Sequence, residues 1–173
     1  MQRVGMFHKV SFEQFEKDMK KTFGDVFTED VLLNIYKNIK LPERATSGSA
    51  GYDFFSPIFS MIHKGDSVVI PTGIRCEMKK GWVLGIYPRS GQGFKYGVHL
   101  ANTVGIIDSD YYHSDNEGHI FIKFVNDSCI SDGDIPLAPG IAMAQGIFMP
   151  YGLVYNDNVD AKRNGGFGST DGK

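Results

Sequence analysis

Residues 67–90 read SVVIPTGIRCEMKKGWVLGIYPRS, and this stretch decides the fold class. Short runs of β-branched and aromatic residues alternate in it with residues that favour turns. The same texture continues after residue 41, for example in HIFIKFVN (119–126) and IAMAQGIFMP (141–150). The lengths of these runs and the spacing of the turns predict an all-β sandwich, barrel or jelly roll, not a βαβ array.

Two helices are predicted before this β region. Each is indicated by apolar residues at three- and four-residue spacing, which place one stripe on the face of a helix. The stripe of the first helix is formed by Phe12, Phe15, Met19 and Phe23, with Ser11 and Gln14 as a capping box and Gly24 as the stop. The stripe of the second is formed by Leu32, Ile35, Tyr36 and Ile39, with Thr28 as the cap and Pro42 as the end.

Composition excludes several classes of protein. The 173 residues include 18 Lys and Arg against 20 Asp and Glu, so the formal charge of −2 lacks the basic excess of a nucleic-acid-binding protein. No apolar stretch approaches the ~20 residues of a membrane span, and no signal peptide is visible. The two cysteines, Cys76 and Cys129, exclude a disulfide framework and a multi-cysteine zinc site. Together these features predict a cytoplasmic protein.

Two segments have the residue types that bind phosphate. In PRSG (88–91), Arg89 and Ser90 present charge and a hydroxyl together; the alternative is an ordinary turn with a surface arginine. The tail KRNGGFGSTDGK (162–173) offers glycine backbone amides, hydroxyls and an arginine to an anion. Its composition alone favours a disordered tail.

A third segment, NTVGIIDSDYY (102–112), ends an apolar run on Asp108, a candidate general base for a water molecule. The alternative is a strand that ends in an Asp-Ser-Asp turn. The spacing does not fit a calcium loop, and the chain lacks the signature of zinc-dependent base deaminases. The polar residues that follow are better explained as a solvated loop than as a metal cluster. They are His113, Asp115, Glu117 and His119.

The order of these segments resembles one family, the trimeric dUTP diphosphatases (dUTPases), which show five short motifs in fixed order. Each motif is weak alone, but five in order are highly specific, and the resemblance covers roughly residues 41–173. The five matching segments are AGYDFFSP (50–57), PRSGQGFKYG (88–97), LANTVGIIDSDYY (100–112), PGIAMAQGIF (139–148) and RNGGFGSTDG (163–172).

The resemblance implies a jelly-roll β subunit that forms a homotrimer, with three active sites at the subunit interfaces. It also implies Mg²⁺-dependent hydrolysis of dUTP to dUMP and diphosphate, which keeps uracil out of DNA and supplies dUMP for thymidylate synthesis. The chain would then divide into an N-terminal helical extension (1–40), a catalytic β core (41–161) and a Gly-rich C-terminal flap (162–173). A protein partner could bind through the N-terminal helices.

The resemblance also implies roles for residues around the nucleoside. Asp108 matches the carboxylate that orients and deprotonates the attacking water, and Asp53 matches a carboxylate that supports metal-bound water. Asn102 matches an asparagine that contacts uracil. Tyr111 matches a tyrosine that packs under deoxyribose and rejects a 2′-hydroxyl. The backbone hairpin that reads the base edge would be formed by Gly105, Ile106 and Ile107.

Around the triphosphate, the matching residues are Arg89, Ser90, Gly91 and Gln145. Phe167 would stack on uracil. The outer phosphates would be wrapped by Gly168, Ser169 and Thr170. An ungapped alignment puts Lys162 at the position of the flap arginine, but we prefer Arg163 because a planar fork of donors suits phosphate better.

Two further departures from the family pattern stand out. The segment YHSDNEGH (112–119) lengthens the turn after the third motif, which would alter the rim of the site or a trimer contact. Asp171 adds a negative charge beside the proposed phosphate ligands.

Two other functions compete with dUTP hydrolysis. A related dCTP deaminase shares the fold but normally lacks the Gly-Gly-Phe-Gly-Ser flap, and it would release ammonia. A nucleotide-responsive interaction protein would use the extra helices and the long 112–119 turn to bind a partner. For this second alternative, removal of residues 1–40 is predicted to abolish partner binding and to spare hydrolysis.

Overall fold

The computed structural model of the protein describes residues 2–127 and 133–161. Within these ranges the chain forms eleven strands, three α-helices and one 3₁₀ helix. The elements are β1 (Gly5–Lys9), α1 (Phe12–Phe23), α2 (Glu29–Asn38), β2 (Tyr52–Phe55), β3 (Ser60–Ile62), β4 (Ser67–Pro71), β5 (Ile74–Met78), β6 (Trp82–Pro88), α3 (Ser90–Tyr96), β7 (His99–Leu100), β8 (Gly105–Ile107), the 3₁₀ helix (Tyr111–His113), β9 (Phe121–Val125), β10 (Ile135–Leu137) and β11 (Ala142–Pro150).

The strands form four antiparallel sheets, and the predicted mainly-β fold is confirmed. The largest sheet has the order β2-β11-β6-β8, and a three-stranded sheet has the order β4-β9-β7. Two-stranded sheets are formed by β1 with β5 and by β3 with β10. None of the helices in the described ranges has the length and apolar character that a membrane crossing requires.

The N-terminal segment contains both predicted helices and one strand that the sequence did not indicate. The Ser11 hydroxyl accepts a hydrogen bond from the Gln14 N–H at 3.1 Å, and Gly24 ends α1 with a φ of 67°, as predicted. Before α1, however, β1 pairs with β5 in the register Gly5↔Met78 to Lys9↔Ile74. A purely helical extension is therefore not confirmed. The sequence GMFHK has no β-branched residue, and its pairing with β5 holds it as a strand.

Residues 1–40 also belong to the same buried core as the strands. Phe15, Met19 and Leu32 are fully buried in one cluster with Leu84 of β6 and Ile122 of β9. α1 packs against α2 and against β4. The hydrophobic core thus runs across the predicted boundary at residue 40.

A buried polar pair adds a second link between α1 and the β core. His119 Nδ1 lies 2.7 Å from Asp18 Oδ2, and the Gly73 N–H donates to His119 Nε2 at 2.7 Å. Because Nε2 accepts, the ring proton is assigned to Nδ1, from which it is donated to Asp18. The Gln14 amide donates to the same carboxylate oxygen at 2.8 Å. His119 is completely buried and Asp18 is 5% exposed.

The prediction of a solvated loop after the third motif is correct for His113 and Asp115, which are exposed, and wrong for Glu117 and His119. His119 and Ser114 are buried. Glu117 accepts from both the N–H of Ser11, at 2.8 Å, and its hydroxyl, at 2.7 Å. Glu117 and His119 face the N-terminal segment because Ser11 and Asp18 supply partners for them, and composition alone could not show those partners.

The Asp18 carboxylate predicts a pH-dependent contribution to stability. Burial raises the pKa of Asp18, but hydrogen bonds from His119 and Gln14 outweigh it and leave the pKa below its ordinary value of 3.8. Stabilisation by the ionised carboxylate is therefore fully present above that value and is lost as the pH falls through the lower pKa of the folded state. We expect Asp18→Asn to reduce the free energy of unfolding by about 1–3 kcal/mol at neutral pH. This difference between variant and parent should begin to shrink as the pH falls below 3.8, because the unfolded chain then binds a proton more readily than the folded Asp18 carboxylate does.

Urea unfolding followed by circular dichroism across this pH range measures the difference. A difference that keeps its full size as the pH falls below 3.8 would show that the charge of Asp18 contributes nothing. Asp115→Asn, at an exposed position of the 112–119 segment, is the matched control, and its free energy of unfolding at neutral pH should equal the parent's.

Candidate active site

Three segments far apart in sequence meet at one end of the four-stranded sheet. Asp53 on β2 lies opposite Gln145 on β11, and Gln145 lies opposite Tyr87 on β6. Arg89 follows β6 directly, and its Nε is 3.3 Å from Asp53 Oδ1. The Gln145 amide donates to the Pro88 carbonyl at 3.2 Å. We call Asp53, Arg89 and Gln145 the polar cluster; it combines the first, second and fourth predicted motifs.

The segment after Arg89 is a helix, so the alternative of an ordinary turn in PRSG is wrong. Arg89 is the N-cap of the seven-residue α3, and Gly97 ends it in the left-handed region with a φ of 71°. Ser90 and Gly91 lie in its exposed first turn, next to the polar cluster in sequence. Glycines at 91 and 93 are poor helix formers, which hid this helix in the sequence.

Gly51 gives the Gln145 side chain the space that it occupies. A Cβ atom at residue 51 would lie 2.6 Å from Gln145 Oε1 and 3.3 Å from its Cβ. The glycine of the first motif therefore fixes the position of a side chain from the fourth motif.

This contact predicts the effect of Gly51→Ala. The methyl group should displace the flexible Gln145 amide without unfolding the protein, since the closest atom is at the end of a side chain. We expect the KM for the substrate proposed below to rise about tenfold, because small displacements of a binding group are costly. Gly48→Ala is the matched control, because nothing lies within 4 Å of a Cβ there. Equal KM values for the two variants would contradict the assigned role of Gly51.

A cavity of about 270 Å³ lies at the other edge of the sheet. β8 and the turn before it form one wall, and Tyr111 forms another. Five residues predicted to bind the nucleoside line this cavity: Asn102, Gly105, Ile106, Ile107 and Tyr111. Its apolar lining also includes Ile86 and Phe121, which the sequence analysis missed. Both are ordinary alternating strand residues, so no sequence signal distinguished them from core residues.

The turn before β8 is tight and strained. The Val104 N–H donates to the Asn102 carbonyl at 2.6 Å, and Thr103 has a φ of 57°. A β-branched residue in the left-handed region is a true outlier, and such strain is concentrated at functional sites. At Gly105, a Cβ would lie 3.2 Å from the Ile86 Cβ, so a side chain there would push the turn away from β6.

Asp108 follows Ile107, the last residue of β8 and part of the cavity wall. Asp108 is partly buried, and its carbonyl accepts from the Tyr111 N–H at 3.1 Å, which turns the chain into the 3₁₀ helix. This turn places the Asp108 carboxylate one residue beyond the cavity wall and brings Tyr111 back to line the cavity.

Within one chain the polar cluster and the cavity share β6, since Ile86 lines the cavity and Arg89 directly follows that strand. Asp53 and the cavity wall of residues 105–107, however, lie on β2 and β8, the two edge strands of the sheet, which are about 14 Å apart at ordinary strand spacing. Five predicted flap residues lie outside the described residues, as does Lys162. The five are Arg163, Phe167, Gly168, Ser169 and Thr170.

Neither a metal cage nor a reactive thiol is found in residues 2–127 and 133–161. These ranges contain no group of three or more His, Cys, Asp or Glu side chains placed to hold a metal ion. Cys76 is buried, and its burial raises the pKa of the thiol to about 12, so it stays protonated and unreactive at neutral pH. Cys129 lies outside the described residues.

Comparison with known proteins identifies the family. The family model of dUTPases matches residues 37–171. The chain belongs to the dUTPase family. Among relatives of this dUTPase, the deoxyuridine 5′-triphosphate nucleotidohydrolase of Lactococcus lactis subsp. lactis (strain IL1403) is 41% identical over 140 residues, which cover 78% of this chain and 91% of the relative. The protein of the same name from Dictyoglomus turgidum is 35% identical over 147 residues, covering 79% and 93%.

Solved structures agree with this assignment. The crystal structure of dUTPase from Streptococcus mutans has a TM-score of 0.63 and 33% identity to this dUTPase, and it covers 86% of this chain and 97% of that one. A mutant dUTPase from phage phi11 of S. aureus, described with a structural Mg(II) ion, has a TM-score of 0.59. At 22% identity, covering 72% of this chain and 92% of that one, it shows likeness of fold only.

Proposed function

We propose that this member of the dUTPase family hydrolyses dUTP to dUMP and diphosphate. The observation that carries the proposal is that one cavity collects all five described residues expected to contact the nucleoside. The described residues expected at the phosphates lie apart from it, at or beside the polar cluster. A site divided into an apolar, shape-selective part and a cationic part suits a nucleotide.

The cavity accounts for selection of the base and the sugar. The Asn102 amide and the backbone of β8 present donors and acceptors to the edge of uracil. A cytosine would leave some of these groups unpaired, which gives strong discrimination. The rigid turn at Thr103 keeps the hairpin in place. The Tyr111 ring forms the wall under the deoxyribose.

Asp108 acts as the general base in this proposal. Its carboxylate takes a proton from a water molecule, the water oxygen attacks the α-phosphorus, and the bond to the leaving diphosphate oxygen breaks. The position of Asp108 immediately after the cavity wall supports this role, because the α-phosphate follows the sugar directly.

The polar cluster holds the phosphate chain. Arg89 presents a planar fork of donors, and Gln145 adds an amide beside it. Ser90 and Gly91 add a hydroxyl and backbone groups in the first turn of α3. The flap residues Arg163, Phe167, Gly168, Ser169 and Thr170 complete the proposed site, with Phe167 on the base and the others on the phosphates.

The donor set of the site fits Mg²⁺. This ion keeps several waters and binds through one or two carboxylates plus substrate phosphates, so it needs no cage of side chains. Asp53, a partly buried carboxylate in the polar cluster, would hold it through water. A bound Mg²⁺ would neutralise charge on the phosphates. The chain's own contribution is to hold Asp53 in place through Arg89.

The active unit is proposed to be a homotrimer in which the cavity of one subunit faces the polar cluster of a neighbour. Exposed apolar residues support association. Ile106, at the cavity rim, is 58% exposed, and residues 151–161 after β11 are exposed throughout. The large apolar residues of this 151–161 segment are Tyr151, Leu153, Val154, Tyr155 and Val159. A surface of this kind is typical of a protein interface.

The decisive assay uses the purified protein with Mg²⁺ and each of dUTP, dCTP, dTTP and UTP. We expect dUMP and diphosphate from dUTP, and much slower turnover of the other three. Indifference to the base, or no turnover of dUTP, would refute the proposal. Ammonia released from dCTP would instead identify a deaminase.

Nothing in the described residues or in the comparisons supports a protein partner at the N-terminal helices. The cytoplasm remains the predicted location, consistent with a free, buried Cys76.

A further inference from the structure

Tyr111 is held by residues outside the cavity, on the segment that lengthens the turn after the third motif. We propose that Asn116, together with the buried Asp18–His119 pair, positions Tyr111 and thereby sets the discrimination between deoxyribonucleotide and ribonucleotide. This inference rests on the proposed hydrolysis of dUTP. It assigns residues that position Tyr111, and these residues lie in the 112–119 loop and in α1.

The Tyr111 hydroxyl is fixed by two hydrogen bonds. It donates to the His119 carbonyl at 2.7 Å and accepts from the Asn116 amide at 2.8 Å. Asn116 is itself held, because its carbonyl oxygen accepts from the Gly118 N–H at 3.2 Å. The Ser114 hydroxyl lies 2.7 Å from that same oxygen. The side chain of Asn116 therefore has little freedom to move away from Tyr111.

His119 is fixed in turn by the N-terminal helix. Its ring is locked between the Asp18 carboxylate and the Gly73 N–H, both at 2.7 Å, and it is completely buried. The carbonyl that accepts from Tyr111 belongs to this same residue. Two consecutive hydrogen bonds thus join α1 to a wall of the cavity, one from the His119 ring to Asp18 and one from the Tyr111 hydroxyl to the His119 carbonyl.

A packing contact reaches the cavity by a second route. The His119 ring lies 4.6 Å, centroid to centroid, from the ring of Phe121, which also lines the cavity. The ring of Phe15 on α1 lies 6.3 Å from the His119 ring, centroid to centroid. His119 therefore contacts two residues of the cavity wall, one through a hydrogen bond and one through its ring.

Discrimination between the two sugars requires that the cavity wall formed by Tyr111 be rigid. A ribonucleotide differs from a deoxyribonucleotide by one added hydroxyl, and a pocket that can relax rejects an added group poorly. A clash discriminates only if the clashing group cannot move. Tyr111 is 4% exposed and tethered at its hydroxyl, so its ring cannot yield to a 2′-hydroxyl without breaking buried hydrogen bonds.

The test compares kcat/KM for dUTP with kcat/KM for UTP. Asn116→Ala should lower this ratio about tenfold, because loosening Tyr111 raises the KM for dUTP and admits UTP. Asn116→Leu keeps the approximate size of the side chain but can neither donate to nor accept from Tyr111, so it should lower the ratio similarly and serves if the Ala variant fails to fold. Asn34→Ala on the exposed face of α2 is the matched control, and its ratio should equal the parent's.

A double-mutant cycle separates positioning from a general structural role. Tyr111→Phe keeps the ring but removes the hydroxyl, so it should lower the ratio on its own. In that background Asn116→Ala should change the ratio no further, because the group it acts on is gone. A loss of stability alone would lower the amount of active protein and leave the ratio unchanged.

The outcomes distinguish this inference from the proposed function. If the parent protein does not hydrolyse dUTP, the proposed function is wrong, and the inference that rests on it is wrong as well. If the parent is active and selective, the inference is overturned by a parental ratio in either Asn116 variant or in Tyr111→Phe. It is equally overturned if the effects of Tyr111→Phe and Asn116→Ala simply add.

Discussion

Asp108→Asn should bind dUTP with nearly parental affinity and lose about 10³-fold or more in kcat. A positioned general base contributes typically 10²–10⁴-fold, and asparagine cannot take a proton from water. The substitution keeps the shape of the side chain, and the turn after β8 depends on the backbone carbonyl of residue 108, which remains. The fold and the neighbouring cavity should therefore survive.

Binding of a non-hydrolysable dUTP analogue, measured by calorimetry beside single-turnover kinetics, separates the two effects. Asp115→Asn is the control for removing one negative charge from an exposed position nearby, and it should keep parental turnover. Parental hydrolysis by Asp108→Asn would exclude Asp108 as the base. Loss of binding together with turnover would assign it to substrate binding.

Deletion of residues 2–40 should abolish the folded state. It removes β1, the partner of β5, together with four buried apolar side chains of the core, Val10, Phe15, Met19 and Leu32. Each such side chain is worth about 1.5–3 kcal/mol of burial, and the remaining core would be left facing water. The four side chains together contribute about 6–12 kcal/mol, which is as large as the total stability of about 5–15 kcal/mol even before the lost pairing of β1 with β5 is counted.

Circular dichroism and thermal unfolding of the deletion protein check this expectation. Deletion of only residues 2 and 3, which are exposed and precede β1, is the matched control and should keep a cooperative transition. A deletion protein lacking 2–40 that unfolds cooperatively and hydrolyses dUTP would show that the segment is dispensable.

This expectation reverses the sequence-based prediction that removal of residues 1–40 spares hydrolysis. That prediction treated the helices as an attachment to a complete domain. Because the apolar stripe of α1 is buried in the common core, truncation cannot separate a partner-binding role from folding.

The fold was predictable where local pattern and tertiary structure agree. The run from residue 67 to 90 alternates between strand and turn residues and forms β4, β5 and β6; α1 begins and ends at its predicted caps. β1 and α3 were missed for the same physical reason. Neither GMFHK nor SGQGFKY has a strong intrinsic preference, so contacts with the rest of the chain determine their structure.

The polar residues of the site were predictable from the sequence, but the residues that hold them in position were not. The motifs indicated Asn102 and Tyr111, which share the cavity, and Arg89 and Gln145, which share the polar cluster. The residues that hold Tyr111 could not be found in the same way. His119 belongs to a stretch with the composition of a solvated loop, and its partner Asp18 lies 101 residues away in sequence.

Whether the cavity of one subunit and the polar cluster of another act on the same nucleotide is tested most directly by mixing two inactive variants. Asp108→Asn and Arg89→Ala are each expected to be nearly inactive alone. Subunits of the two are exchanged at equal amounts, and dUTP hydrolysis is measured. If the site is shared, activity should return to about a quarter of the parental value, because three quarters of randomly assembled trimers are mixed and each holds one complete site. Activity that stays at the level of the separate variants would contradict a shared site and place both groups in the same chain.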